Sequence, residues 1–162
     1  HQSVGYEDIP ASLQKLVDNG VQIVKLQEAA SMYIPNVQQK TVDALQTFAK
    51  TIYLSQTCQL KDGKQTWILN LEDAFEAFQK DPGPREWRTH FHVPVFLDNL
   101  GGAFGTTRFA LEQALAVHKK TPLSTHLEIE TYTWDVLPDH LKTGDIVDYV
   151  TRELDWVKGQ LV

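Results

Sequence analysis

The chain has 162 residues, with 15 Lys and Arg against 21 Asp and Glu, a formal net charge of −6. That length suits one ordinary domain and falls short of the roughly 250 residues of a complete (β/α)8 barrel. An acidic chain without a Lys/Arg cluster lacks the electrostatic footprint that binds nucleic-acid phosphates, and no apolar run approaches the ~20 residues of a membrane span.

Hydrophobic residues make up 42% of the chain, enough for a packed core rather than disorder. The single cysteine, Cys58, allows neither an intrachain disulfide nor a Cys-rich zinc site, and suits a reducing, cytoplasmic compartment. The chain opens at His1 without Met, a basic n-region or an apolar h-region, and reads as structured from Ile9 onward. It is expected to be a piece of a longer protein.

In chain order, Ile9 to Asn19 reads as a helix, with Pro10 in its first turn and Asn19-Gly20 as its stop. Leu13, Leu16 and Val17 form its apolar stripe. Val21 to Ala29 reads as a strand and Val37 to Lys50 as a helix. Two strand-like runs, Tyr53 to Leu60 and Gln65 to Leu71, flank a hairpin signal at Asp62-Gly63. Glu72 to Gln79 reads as a short helix, ended by the breaker Asp81-Pro82-Gly83-Pro84.

Arg88 to Phe96 reads as a strand, Asn99 to Gly105 as a Gly-rich loop and Thr106 to Lys119 as a helix. His126 to Thr133 reads as a strand. Asp145 to Leu161 reads as a closing helix with Ile146, Val150, Leu154 and Val157 inward. No repeat or linker divides the chain. Alternation of helices and strands predicts an α/β fold with parallel strands.

Three strands alternate in a way that carries chemistry. Val24 and Leu26 oppose Lys25 and Gln27; Phe91 and Val93 oppose His90 and His92; Leu127 and Ile129 oppose His126, Glu128 and Glu130. Parallel strands covered by helices on both sides are apolar almost throughout. A barrel accounts for the alternation, with one face under the outer helices and the other lining the interior. Imidazoles and carboxylates gathered there are divalent-metal ligand types, and the carboxylates could also move protons. An antiparallel sheet with one solvated face alternates in the same way and is the competing explanation.

Two long blocks, 87–96 (WRTHFHVPVF) and 126–138 (HLEIETYTWDVLP), resemble the signature blocks of the EboE-type metabolite traffic proteins. Two short ones, Lys25-Leu26-Gln27 and 53–57 (YLSQT), resemble further blocks of that family. The resemblance spans His1 to about Val157. That family belongs to the xylose-isomerase-like TIM barrels of the sugar phosphate isomerase/epimerase superfamily. The resemblance therefore implies the carboxyl-terminal portion of a (β/α)8 TIM barrel with an inserted β-hairpin. Residues 1–162 would then be one partial barrel domain, truncated at its amino terminus, and His1-Gln2 would match the end of an Asp-x-Cys-His-Gln block.

The resemblance further implies a divalent metal (Mn, Zn, Mg or Fe) held by His1, His90, His92 and Glu128, with Glu128 and Glu130 as catalytic carboxylates. Substrate contacts are expected from Lys25, Gln27, Trp134 and Arg108. Trp134 reads equally as a packing residue, and Arg108 either as a phosphate ligand beside the Gly101–Gly105 loop or as an ordinary neighbour of a flexible loop. Two positions depart from the family: Glu28 stands where a small Ser is usual, altering the cavity rim, and Ser55 replaces a His, removing a possible ligand. Cys58 is expected to be a small buried hydrophobe. His118, His140 and the acidic residues Glu112, Asp145, Asp148, Glu153 and Asp155 are expected at the surface.

Three functions remain open on this reading. One is a metal-dependent sugar phosphate isomerase or epimerase. The second is a non-catalytic metabolite-binding or trafficking protein, and the third a plain α/β interaction domain. The expected partners are a small metabolite or sugar phosphate, together with the missing amino-terminal half or another copy of this piece, because open strand edges invite pairing.

Overall fold

A computed structural model describes residues 1–49, 54–130 and 134–162. It is not a part of a barrel. The protein is an α/β domain with two sheets, a two-stranded parallel one and a six-stranded antiparallel one.

Helix α1 (Ile9–Asp18) starts where the Asp8 carboxylate caps the Ala11 amide, with Pro in the first turn. It ends at Asn19 and Gly20, the latter at a φ of 70° that favours glycine. The expected strand over 21–29 shortens to β1 (Leu26–Glu28). After Ala29 the chain enters β2 (Ala30–Ile34), which belongs to the other sheet. Helix α2 (Gln39–Ala49) follows. Strands β3 (Thr57–Lys61) and β4 (Lys64–Ile68) form the expected hairpin, with Asp62 at φ 50° and Gly63 at φ 73° as a two-residue turn needs.

Helix α3 (Leu71–Lys80) leads to β5 (Glu86–Val93). The Gly-rich stretch is a small hairpin rather than a loop, formed by β6 (Asn99–Gly101) and β7 (Phe104–Thr106). Helix α4 (Arg108–Lys120), β8 (Leu127–Ile129), two 3-10 turns (Trp134–Val136 and Asp139–Leu141) and α5 (Ile146–Leu161) complete the chain. A reciprocal box starts α5: the Asp145 carboxylate accepts from the Val147 and Asp148 amides, and the Asp148 carboxylate from the Asp145 amide.

The large sheet runs β4-β3-β5-β2-β7-β6, every neighbouring pair antiparallel. Among the described residues, only β1 and β8 pair in parallel, with Gln27 opposite Glu128. The alternation that suggested a barrel has the other origin in β5: it lies inside an antiparallel sheet, one face on the core and the other under a partly covered polar surface. The expected strand segments 53–56 and 130–133 lie partly outside the described residues.

One core joins β2, β5, α2, α3, α4 and α5 around Trp87, Met32, Leu45, Leu115 and Tyr149. A smaller cluster, Ile9, Leu13 and Ala110 with Leu26 and Ala114 against it, ties α1 to α4 and β1. Cys58 is buried, as expected. Two surface assignments, His118 and Glu153, and two inward ones, Ile146 and Leu154, are overturned. His118 is buried, its Nδ1 accepting from the Leu123 amide at 3.2 Å. In α5, Ile146 and Leu154 are exposed while Tyr149, Glu153 and Val157 face inward. Hydropathy turned that helix wrongly because Glu153 finds a buried amide, that of Val95, at 3.1 Å.

Candidate functional site

A cavity of about 520 Å3 opens between β1, the end of β5, α1 and α4. One end is apolar, built by Leu13, Leu16 and Ile23 with Ala110 and Ala114 of α4. The other end is polar. His1, His90, His92 and Glu130 border it, with Lys25 just before β1 and Gln27 and Glu28 on it.

The polar end depends on a break in the large sheet. The register of β2 against β5 runs Ser31↔His92 and then Met32↔Thr89, so His90 and Phe91 are passed over. Such a bulge re-aims the side chains it carries. His90 donates its amide to the Gln56 carbonyl at 2.7 Å instead of to β2. Two residues apart, the imidazoles of His90 and His92 fall on one side, with ring centres 4.9 Å apart and Nε2 atoms 3.3 Å apart. That separation is a single N–H···N hydrogen bond. Burial lowers both imidazoles, His92 to about 4, so both are neutral near pH 7. The Glu130 carboxylate lies 4.0 Å from His92 Nδ1.

The His1 ring is stacked on Trp67 at 5.2 Å and meets His90 edge-on at 5.2 Å. Its segment is pinned from below. Arg88 donates to the Ser3 carbonyl at 2.7 Å and lies 3.7 Å over the Tyr6 ring, while the Ser3 and Thr107 hydroxyls are 3.1 Å apart.

Of the predicted site residues, His1, His90, His92, Glu130, Lys25 and Gln27 thus come together at one cavity. Glu128 does not border it. Its carboxylate is held instead by the side chains opposite it, Lys25 Nζ reaching both oxygens at 3.0 Å and Gln27 donating to one at 3.3 Å. That ammonium keeps Glu128 below the usual carboxylate range. The four-residue metal set His1, His90, His92 and Glu128 therefore does not assemble, and among the described residues no three His, Cys, Asp or Glu side chains are placed to hold a metal ion.

Trp134 packs on Tyr149 with ring centres 4.9 Å apart, which is the packing alternative. Arg108 is consumed locally, donating to Glu112 at 3.0 Å and to the Phe96 carbonyl at 3.1 Å, with Asp98 3.6 Å away. Both residues lie away from the cavity because the β6–β7 hairpin and α5, not barrel loops, surround them.

Glu28 is the residue that sequence reasoning undervalued. It shares the Leu26 side of β1, borders the cavity, and is 2% exposed. Its Oε1 has no hydrogen-bond partner among the described residues, and burial pushes its carboxyl up to about 7. The available signal was a lone Glu on the apolar face of a strand, where a carboxylate is costly.

Comparison of the chain with protein-family models, with curated proteins and with solved structures finds no match. Among the described residues, no helix is long and apolar enough to cross a membrane.

Proposed function

We propose that this protein binds a small amphipathic metabolite in the cavity between β1, β5, α1 and α4. The ligand's polar group would lie against His1, His90, His92 and Glu130, and its body against the α1–α4 wall. One observation carries the reading: two neutral imidazoles, His92 buried and His90 half-buried, and a carboxylate converge on one end of a cavity whose other end is apolar. Pockets of a few hundred Å3 with a few convergent polar groups are the usual form of small-molecule sites. The blocks that resemble the EboE-type traffic proteins support carriage of a metabolite, although the barrel they imply is not the fold. A thermal-shift screen against small amphipathic metabolites tests the proposal. A hit should raise Tm in the wild type and not in Ala114→Phe, which fills the apolar end. Failure of every compound to perturb His90 and His92 in NMR spectra would overturn it.

The spacing of His90 and His92 favours a second reading, a divalent-metal isomerase or epimerase acting on a sugar phosphate. Two imidazoles sharing a tetrahedral zinc at Zn–N distances of about 2.0–2.1 Å sit about as far apart as these Nε2 atoms. A bound ion would polarise a ligand carbonyl or hydroxyl. Titration with zinc or manganese, with binding lost in His92→Ala, would support this reading; no heat of binding at millimolar metal would end it.

A further inference from the structure

The cavity runs along one edge of β1. Residues 25–29 all border it, five in a row, although the side chains of an extended segment alternate between two faces. A space that meets both faces of a strand meets its edge. Leu127, Glu128 and Ile129 of β8 do not border the cavity, so this edge is the one turned away from β8. The hydrogen bonds agree. Leu26 donates its amide to the His126 carbonyl at 3.0 Å, and the Glu28 carbonyl accepts from the Glu130 amide at 3.2 Å. In a parallel pair the N–H and C=O of one residue point to one side, and those of the next residue to the other. Leu26 and Glu28 are therefore turned to β8. The N–H and C=O of Gln27 point the other way, where β1 has no neighbouring strand among the described residues. Beside this edge stands the apolar wall, where Leu26 and Ala114 pack against Leu13 and Ala110.

We infer that the cavity takes a short peptide or an N-acylated amino-acid amide, added to the free edge of β1 as a third strand. Its main chain pairs with the N–H and C=O of Gln27, and its alternate apolar side chains rest on Leu13 and Ala114. This rests on the proposed metabolite-binding role and names the ligand class. Strand addition takes affinity from main-chain hydrogen bonds and specificity from a pocket for every second side chain. The edge of β1 supplies the first and the α1–α4 wall the second. A cavity of about 520 Å3 beside a strand of three residues suits a free peptide of similar length rather than a longer chain.

The test uses the 162-residue chain and a neutral capped probe, Ac-Leu-Ala-Leu-NH2, titrated calorimetrically. Esters then replace its amides one position at a time, removing an N–H without adding bulk. One ester should cost at least tenfold in affinity and the esters beside it less than twofold, because successive amides of a strand face opposite ways. In the complex the Gln27 amide should exchange its hydrogen at least tenfold more slowly, while the Leu26 amide, already bonded to His126, changes little. Gln27→Pro, which removes that N–H at a strand edge, should bind the peptide at least tenfold more weakly with the wild-type circular dichroism. Should this variant misfold, the ester series and the exchange rates in the wild type decide. No binding of the peptide at millimolar concentration, equal affinity for every ester, or an unchanged Gln27 amide would overturn the peptide assignment and leave the cavity to other metabolites. Peptide binding that survives Ala114→Phe would place the probe elsewhere, and would count against the metabolite-binding role as well.

Discussion

Glu153 on α5 and Glu28 on β1 lie equally deep, 1% and 2% exposed, and burial pushes both carboxyls up to about 7. Their surroundings differ. Glu153 accepts the Val95 amide at 3.1 Å, beside the Tyr149 hydroxyl, and bolts α5 to the turn after β5. Each also keeps one buried carboxylate oxygen without a partner among the described residues, Oε2 of Glu153 and Oε1 of Glu28, but Glu28 borders a cavity. A perturbed carboxyl is thus no sign of function by itself. What distinguishes the two is that Glu153 holds a backbone amide of a neighbouring segment, whereas Glu28 borders a cavity.

The largest expected effect breaks that comparison directly. Glu153→Ala strands the Val95 amide and leaves a hole under α5, which should cost about 2–4 kcal/mol in urea unfolding. Glu28→Gln, measured without ligand, should lie within about 1 kcal/mol of the wild type, because no protein partner is lost. Equal costs would mean that Glu28 is a second structural bolt.

Titration sharpens the same contrast. A carboxyl at about 7 in the folded protein and near 4.5 unfolded binds more protons when folded between those values. Stability from each group is therefore complete below pH about 4.5 and is lost as pH rises through about 7, by up to about 3 kcal/mol at 1.36 kcal/mol per pH unit. Glu153→Gln should flatten this decline by its share under all conditions. The share owed to Glu28 should disappear in Glu28→Gln. A pH profile unchanged by either Gln variant would remove burial as the cause.

Local signals in the sequence were sound where the chain's own neighbours decide the structure. The α1 cap with Pro10 and Asn19, the Asp62-Gly63 hairpin and the position of α5 all follow from short-range chemistry. The topology did not follow. Alternating strands suit a barrel interior and an antiparallel sheet alike, and only the pairing of β5 with β2 and β3 separates them. The exit from one sheet to the other at Ala29 has no compositional mark. Six proposed site residues still met at one cavity, because a His-x-His spacing fixes a shared strand side in either fold. Glu128, Trp134 and Arg108 fell away where their roles depended on barrel loops.

Arg88→Ala probes the cavity side without touching its wall. Its guanidinium holds the Ser3 carbonyl and the Tyr6 ring. Its loss should cost about 1–2 kcal/mol, a hydrogen bond plus a cation–π contact. Hydrogen exchange should rise over residues 1–7 and stay unchanged in α5. Faster exchange in α5 would mean that the two regions are coupled.

The smallest effect is expected at the Lys25–Glu128 pair. The side chains are 42% and 51% exposed, so solvent and salt screen their attraction. Glu128→Gln should leave Tm unchanged within error. A clear fall in Tm would instead mean that the pair ties β8 to the segment entering β1.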